Sequence, residues 1–471
     1  MKKIISSTLA VALLLALCLT CFAGCGGGNN PQANEFVMPE GGFDTTKPVT
    51  IKFYHSMGAG LQKILDDALV EFNKLYPNIT VEHSSYGDYK GIRDQIKNEI
   101  TVGGQPNVAF CYPDHVAYYN VSGAVQSLDV LIGTEYWYNA EEQADLGENY
   151  FADGRVYADG KLYSLPMQRS TEVLYYNKTF FDKHGLTPPT TWDEMEAICK
   201  KIKTELDTTS IPLGYDSEAN WFITMCEQAG SDYTSASGEN FIFDNDTNKN
   251  FVKRFRTWYE NKWVTTQELN GGAYTSAMFT GKSSSGDAVS TRCYMCIGST
   301  GGATYQQPTV TNGVPEFEVG IVPIPQLNPE SPKVISQGPS LCIFKNADPQ
   351  EVLASWLLVK YLTTDVVFQG SYSMSNGYTP VTQAVMRNEV YQNFLNSGNT
   401  TSITAYAVRV ALSQSEHFYE SPAFNGSAVA RDQVALLMQK CLAGEAGGNL
   451  DAFINKVFAD AVAECKYQSG Q

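Results

Sequence analysis

Positive charge is scarce in this sequence. Its 471 residues include 33 lysines and arginines against 50 aspartates and glutamates, a formal net charge of −17. A surface of this sign repels nucleic acid and anionic lipid headgroups, so we expect neither as a partner. The 43% of hydrophobic and 18% of charged residues are typical of a globular protein. The length exceeds a single core of usual size, which predicts two or more domains.

The sequence also lacks the common catalytic and metal-binding motifs. It contains no HExxH and no GxSxG, and the "GKS" at 281–283 has Ser276 where a phosphate loop needs its first glycine. The "CYMC" at 293–296 has neither a second cysteine pair nor histidines at ligand spacing. We therefore expect no metal and no cofactor. The many carboxylates leave a glycan hydrolase open as an alternative.

The N-terminus carries a targeting pattern. Met1-Lys2-Lys3 is a basic start, and Ile4–Thr20 is an apolar run followed by "FAGCGGG". This ending resembles the lipobox of bacterial lipoproteins, although Phe22 stands where leucine is usual. The resemblance implies a lipoprotein signal peptide over 1–24, a lipidated (palmitate-bearing) Cys25 and a flexible tether over 25–47. We then expect the protein at the extracellular face of the cell membrane. Ordinary secretion with cleavage elsewhere is the alternative.

Strand and helix patterns alternate after the tether. Val49–Tyr54, Ile79–His83 and 107–111 read as strands, separated by helices that end before Pro77 and near Thr101. Such βαβαβ alternation predicts an α/β fold with a parallel sheet, whose ligands bind beyond the carboxyl ends of the strands. Three loops follow those ends, at 55–57, 84–86 and 112–115.

The stretch "FYHSMGAG" at 53–60 is the first of these loops. A histidine and a serine on a strand-to-helix turn could belong to a catalytic site, but no partner base or metal ligand is evident. We interpret the stretch as a wall of a binding cleft, with Gly58 and Gly60 allowing the turn. Whether His55 faces the ligand stays open at this point.

The rest of the chain repeats the alternation and then becomes helical. We predict strands at 171–176, 294–297 and 320–324 and helices at 192–203, 221–229 and 251–261. The last third is predicted to hold helices at 351–362, 382–394, 428–443 and 450–464.

One long segment carries a specific likeness. Residues 160–203 read "GKLYSLPMQRSTEVLYYNKTFFDKHGLTPPTTWDEMEAICKKIK". This order resembles the hallmark of family 1 extracellular solute-binding proteins of ABC importers. "FYHSM", "QRSTEVLYYNK" and "SNGYTPVT" resemble the glycerol-3-phosphate and glycerophosphodiester-binding branch. The likeness extends over roughly 48–465.

The resemblance implies a two-lobed, periplasmic-binding-protein-like fold of type II, with an N-terminal lobe of 48–167 and 337–370 and a C-terminal lobe of 168–336 and 371–471. The implied function is capture of an extracellular carbohydrate or glycerol-phosphate-type solute by a monomer, without enzymatic activity. The solute would be delivered to ABC permease subunits. A lipid-anchored glycan hydrolase and a surface sensor or adhesin are the alternatives.

The resemblance also implies a set of ligand-binding residues, carried over motif by motif. They are Tyr86, Asp114, Ser170, Thr171, Trp221, Ser299, Gly338, Tyr378 and Arg431.

The chemistry of this set suits a polyol or its phosphate. Aromatic faces cover the C–H side of a sugar or glycerol, and Asp114 and the hydroxyls bind its OH groups. Arg431 offers a fork for phosphate oxygens, to which the backbone N–H groups of 299–302 would add. The alternatives are a core position for Trp221, a helix cap for Asp114 and a surface ion pair for Arg431.

Overall fold

The computed structural model describes residues 35–283, 285–399 and 401–471. The predicted signal peptide, Cys25 and the tether up to residue 34 lie outside these ranges. No helix in the described part of the chain is long and apolar enough to cross a membrane. The cysteines described in the structure are all buried and unpaired.

The strands belong to two main sheets and one small hairpin. In chain order they are β1 Val49–His55, β2 Ile79–Ser85, β3 Val108–Cys111, β4 Ser164–Pro166, β5 Gln168–Asn177, β6 Leu213–Tyr215, β7 Val264–Thr266, β8 Met295–Ser299, β9 Val310–Thr311, β10 Val314–Pro315, β11 Val319–Pro323, β12 Val334–Gln337, β13 Ser340–Ile343, β14 Thr379–Pro380 and β15 Phe418–Tyr419.

The helices flank these sheets. The α-helices are α1 Ala59–Leu75, α2 Tyr89–Ile100, α3 Pro113–Asn120, α4 Ala140–Leu146, α5 Glu148–Ala152, α6 Lys178–His184, α7 Trp192–Lys201, α8 Glu218–Ala229, α9 Asp246–Glu260, α10 Ser276–Thr280, α11 Pro349–Thr364, α12 Val366–Asn376, α13 Gln383–Arg387, α14 Glu389–Leu395, α15 Ile403–Ser413, α16 Ser427–Ala443 and α17 Leu450–Ser469. Short 3₁₀ turns lie at Leu128–Leu131, Asp153–Arg155, Glu268–Asn270, Thr300–Gln306 and Ser415–His417, and a π turn at Ile202–Leu206.

The first sheet has the order β2-β1-β3-β13-β4. β1 lies parallel to both β2 and β3, as the alternation predicted, while β13 pairs antiparallel with β3 and β4. Helix α1 buries Leu65 and Phe72 at helical spacing against this sheet. We call the elements around this sheet and its core the first lobe.

The second sheet has the order β15-β12-β5-β8-β6-β7, and β11 and β14 also pair with β5. β5 is its central strand, and Arg169 is its only residue that is not fully buried. A nearly continuous buried strand is expected where both faces of a sheet are covered. The aromatic core beneath it contains Trp192, Trp221 and Phe255. We call these elements the second lobe.

The C-terminal third differs in detail from the prediction. The single helix predicted over 382–394 is wrong, because α13 ends before Asn388 and α14 begins after it. The Asn388 carboxamide accepts bonds from the backbone N–H groups of Val390 and Tyr391, which makes it an N-cap. Helices α12 and α15 have broad buried faces and were not predicted.

The chain passes between the two sheets at neighbouring places. Met167 joins β4 to β5, and Gly338-Pro339 joins β12 to β13. The Met167 N–H donates to the Pro339 carbonyl at 2.7 Å, so the two crossings are bonded to each other. Gly338 has φ of +125°, and a Cβ there would lie 2.4 Å from the Gln168 carbonyl oxygen, so only glycine fits. The residue limits of the two lobes given above stay a prediction.

Candidate functional site

A cavity lies where α3, α16 and the crossing strands meet. Its volume is about 60 Å³, room for a few water molecules. Residues of both lobes line it: Tyr112, Pro113, Asp114, Arg169, Tyr233, Ile335, Ser336, Gln337, Gly338, Ser340, Glu420, Ser421, Pro422, Ser427 and Arg431.

Arg431 is the centre of a hydrogen-bonded chain in the second lobe. It lies in the first turns of α16 and donates to the Asn220 carboxamide oxygen. The Asn220 amide nitrogen in turn donates to Glu172 Oε1 and to Gln337 Oε1, both at 2.9 Å. The guanidinium of Arg431 is therefore held in one position at the cavity wall.

Glu172 forms the buried end of this chain. It is 2% exposed, and the Tyr215 hydroxyl donates to its Oε2 at 2.6 Å. Burial raises the pKa of Glu172 to about 7, although the bonds from Tyr215 and Asn220 and the Arg431 charge act in the opposite direction.

A second charged group links the crossing strands to the cavity. Arg169 contacts Glu420 at 3.4 Å and also bonds to Asp153 of the first lobe. Burial raises the pKa of Glu420, and the Arg169 charge opposes that rise. Glu420 Oε2 and Ser421 Oγ are buried without a hydrogen-bond partner among the described residues. Buried polar atoms are normally bonded, so these two are available to a bound molecule.

The first lobe contributes an aromatic surface and a helix N-terminus. Tyr112 stacks on Tyr89 with centroids 4.2 Å apart and an angle of 19°, and its ring centroid lies 5.9 Å from the Arg431 guanidinium carbon. Asp114 lies in the first turn of α3, where its Oδ1 accepts from the adjacent His115 N–H at 3.0 Å, and it lines the cavity. Burial lowers the pKa of His115 to about 4.

The charges around the cavity are balanced. Two arginines, Arg169 and Arg431, face two carboxylates, Asp114 and Glu420. Such a site offers donors, acceptors and an aromatic face together. This arrangement suits hydroxyl-rich molecules, and the remaining N–H donors of Arg431 can bond to one anionic group.

Three of the sequence-predicted residues line this cavity, namely Asp114, Gly338 and Arg431. Ser170 and Thr171 lie directly beside it on β5, opposite Gln337 and Ser336 of β12. Both are buried, and the Thr171 hydroxyl already donates to the Ile335 carbonyl at 2.8 Å. Both residues pair with β12 and do not line the cavity.

Tyr378 and Ser299 lie beside each other at the lobe junction and are not among the residues that line this cavity. A Cβ on Gly301 would be 2.5 Å from the Tyr378 ring, so this glycine allows the ring to approach. Ser299 Oγ accepts from the Gly301 N–H at 3.1 Å and caps the turn Thr300–Gln306. The backbone N–H of Gly301, predicted for anion binding, is therefore already bonded.

The structure does not bring Tyr86, Trp221 or His55 to the cavity. Tyr86 packs against Tyr54, with ring centroids 4.6 Å apart. Trp221 is fully buried and stacks on Tyr215 at 5.0 Å, so the alternative of a core position describes it.

His55 is also fully buried. Its Nε2 lies 2.9 Å from His83 Nδ1, and its Nδ1 accepts from the Met57 N–H. The imidazole is therefore satisfied within the first lobe, which answers the question that the opening loop raised.

Several polar and charged groups of the site were not predicted from the sequence. Glu172 and Arg169 stand in "QRSTEV", where charged residues within an apolar strand were the available signal. Asn220, Gln337 and Glu420 carry no pattern of spacing that marks them. They join the site only because β5, β12 and α8 meet in space.

Comparison with known proteins agrees with this architecture. A family model described as bacterial extracellular solute-binding protein matches residues 67–394, well over half of the chain. The chain belongs to this family. It is a solute-binding protein and not an enzyme, and the hydrolase alternative is therefore wrong.

Several relatives bind sugars or glycerol phosphate by name. The chain is 24% identical over 345 residues to the multiple sugar-binding protein of Streptococcus mutans, covering 69% of this chain and 74% of the relative. It is 29% identical over 158 residues to the sn-glycerol-3-phosphate-binding periplasmic protein UgpB of Escherichia coli, covering 33% of this chain. The chain spans only 35% of the length of that second relative.

Solved structures confirm the predicted two-lobed fold. UgpB from Mycobacterium tuberculosis, in complex with glycerophosphocholine, has a TM-score of 0.70 at 17% identity and covers 89% of this chain and 98% of its own. The maltose/maltodextrin-binding domain MalE from Bdellovibrio bacteriovorus, bound to maltotriose, has a TM-score of 0.66 at 19% identity. The match covers 90% of this chain and 100% of that domain. At these identities the likeness concerns the fold.

Proposed function

We propose that the protein captures a carbohydrate or glycerol-phosphate-type solute outside the cell and delivers it to the permease subunits of an ABC importer. The cavity at the lobe junction carries this proposal, because it combines a tyrosine face with paired charges and unpartnered polar atoms. Relatives named for sugars, for glycerol 3-phosphate and as an ABC transporter extracellular-binding protein support the solute class and the partner.

Each wall of the cavity has a proposed task. The Tyr112 ring covers the C–H face of the solute, while Asp114, Glu420 and Ser421 bond to its hydroxyl groups. Arg431 donates to a ring hydroxyl or, in a phosphorylated solute, to phosphate oxygens. Gly338 has no side chain, so the solute can approach the backbone closely there.

Two further parts of the predicted set lie nearby. Ser170 and Thr171 pair with β12 beside the cavity, and Tyr378 and Ser299 lie at the lobe junction outside the cavity lining. We propose Tyr378 as a further aromatic contact for a solute longer than one sugar unit.

Binding is coupled to lobe movement in this proposal. Residues of both lobes line the cavity, so the lobes would part to admit the solute and then close around it. Closure is driven by solute only when the closed form binds it more tightly than the open form. The permease would recognise that closed form.

We also propose that the mature protein is a monomer held at the extracellular face of the cell membrane by lipid on Cys25. Support comes from the lipobox-like "FAGC" and from the extracellular family to which the chain belongs. The Cys25→Ser variant is expected to lose lipid and to leave the membrane fraction. Retention of both properties by that variant would contradict the anchor.

A thermal-shift panel tests the solute class. We expect maltotriose, other oligosaccharides, glycerol 3-phosphate or glycerophosphocholine to raise the melting temperature at high concentration, because a ligand that binds only the folded state stabilises it. A flat response to every member of the panel would count against the proposed class.

The Arg431→Ala variant separates the two solute types. It should abolish binding of a phosphorylated solute, whose charge needs the guanidinium, and weaken a neutral sugar less. Equal binding of a phosphorylated solute by the variant and the wild type would show that Arg431 does not recognise the phosphate.

A further inference from the structure

An ion pair between α2 and α16 joins the two lobes outside the cavity lining. The Arg93 guanidinium on α2 of the first lobe donates to Asp432 Oδ2 on α16 of the second lobe at 2.9 Å. The Arg93 side chain is 11% exposed and Asp432 is 44% exposed. By contrast, other ion pairs each join two exposed side chains of a single helix, namely Lys63–Asp67, Lys90–Asp94 and Lys456–Asp460.

Each partner lies next to a residue that shapes the site. Asp432 directly follows Arg431, which lines the cavity. Arg93 is four residues after Tyr89, so the two side chains share a face of α2. Tyr89 stacks on Tyr112. The ion pair therefore fixes the distance between the aromatic surface and the arginine that would enclose a solute.

The surroundings favour a strong interaction. Arg93 is mostly removed from water, so its charge is screened less than that of an exposed lysine. Asp94 is a second acceptor for Arg93 at 3.3 Å, and the neighbouring His115 is buried. Parting the lobes would remove Asp432 from Arg93 and leave only Asp94, which belongs to the same helix.

We infer that Arg93 and Asp432 form an inter-lobe latch that favours closure and slows solute release without touching the solute. The inference rests on the proposed function, and it assigns positioning roles to both residues. Because the latch acts on closure alone, its loss should weaken different solutes by a similar factor.

The test uses Arg93→Gln, Asp432→Asn and the double variant in the full mature chain. Small-angle scattering with no solute added should show a larger radius of gyration for both single variants than for the wild type. The double variant should show no further increase, because each single change already removes the shared interaction. Arg93→Lys should keep the wild-type value. Lys63→Ala, which removes the Lys63–Asp67 pair within α1, is the control and should also keep it.

Dissociation kinetics give the second measurement. Release of maltotriose or glycerophosphocholine, whichever the wild type binds, should be about two- to fivefold faster in the Arg93→Gln and Asp432→Asn variants, with little change in association rate. Arg93→Lys should restore slow release, which a general loss of packing would not allow.

Unchanged scattering and unchanged release in both variants would overturn the latch. Strictly additive effects of the two changes would also overturn it, because they would show that the residues act separately. Failure of the wild type to bind either probe would overturn the proposed solute class, while the scattering comparison would still decide the latch.

Discussion

The two walls of the cavity are built differently. The wall from the second lobe is a chain of bonded polar groups, in which Arg431, Asn220 and Glu172 hold one another in place. The wall from the first lobe is a pair of stacked tyrosines, Tyr89 and Tyr112, at the start of α2 and α3. One wall is fixed by hydrogen bonds and the other presents apolar faces.

If this cavity binds the solute as proposed, we expect the two walls to have different tasks. Donors and acceptors that are already bonded to neighbours cost little to orient when a solute arrives, so the second lobe supplies a fixed pattern of polar groups. Aromatic faces tolerate variation in the solute but contribute apolar area, so the first lobe supplies closure over it. Changes in the two walls should therefore have different consequences.

The largest effect is expected beneath the second wall. Trp221 adjoins Asn220 in sequence and is fully buried, so Trp221→Ala should lower the free energy of unfolding by about 3–5 kcal/mol through the cavity it leaves. Urea denaturation measures this loss. Tyr467→Ala, at a side chain that is 81% exposed, is the control and should change little. Near-wild-type stability of Trp221→Ala would show that this ring does not support the wall.

Removing the charge of the second wall should come next. We expect Arg431→Ala to weaken solute binding by about 2–5 kcal/mol, since it removes the charge and one of the two donors to the Asn220 carboxamide oxygen. Calorimetric titration measures the affinity, and urea denaturation separates it from stability. Affinity within twofold of the wild type would mean that the polar wall is not the binding wall.

The buried end of the polar chain should make stability depend on pH. The pKa of Glu172 is raised from 4.5 to about 7 in the folded protein, so folding takes up a proton between these values. Its contribution to stability therefore falls as pH rises through that window and is constant above it.

Glu172→Gln should remove this dependence. As pH rises from 4.5 to 7, the free energy of unfolding of the wild type should fall by roughly 3 kcal/mol more than that of the variant. The measurement is urea denaturation at a series of pH values. Parallel curves for the two proteins would contradict the raised pKa.

A smaller effect is expected for the aromatic wall. Tyr112→Leu keeps apolar area but loses the stacked geometry, so we expect solute affinity to fall by about 0.5–1.5 kcal/mol. Tyr467→Leu is the matched exposed control. A loss as large as that of Arg431→Ala would show that the two walls do not differ in the way described.

Much of the fold could be predicted from the sequence because it follows from local periodicity. Helix α1 and the parallel strands β1, β2 and β3 lie where the alternation placed them. The Asn388 cap that divides α13 from α14 is a single side chain within an apolar pattern, so periodicity did not reveal it. α12 was missed because its strong burial comes from long-range packing.

The site was harder to predict for a related reason. Asp114, Gly338 and Arg431 stand in motifs, but their supporting groups come from distant parts of the chain. Glu172 and Asn220 are 48 residues apart and meet at 2.9 Å. Trp221 looked suited to a sugar face, yet α8 turns it toward Tyr215 and Phe255. Which face of a helix is covered depends on tertiary packing and not on residue type.

Native mass spectrometry tests the central claim most directly. The mature protein would be mixed with the carbohydrate and glycerophosphodiester panel, together with the Tyr112→Ala/Arg431→Ala variant, which disables both walls. We predict one equivalent of a single solute class on the wild type and none on the folded variant. No adduct on the wild type, or an adduct that the variant retains, would contradict solute binding between these walls.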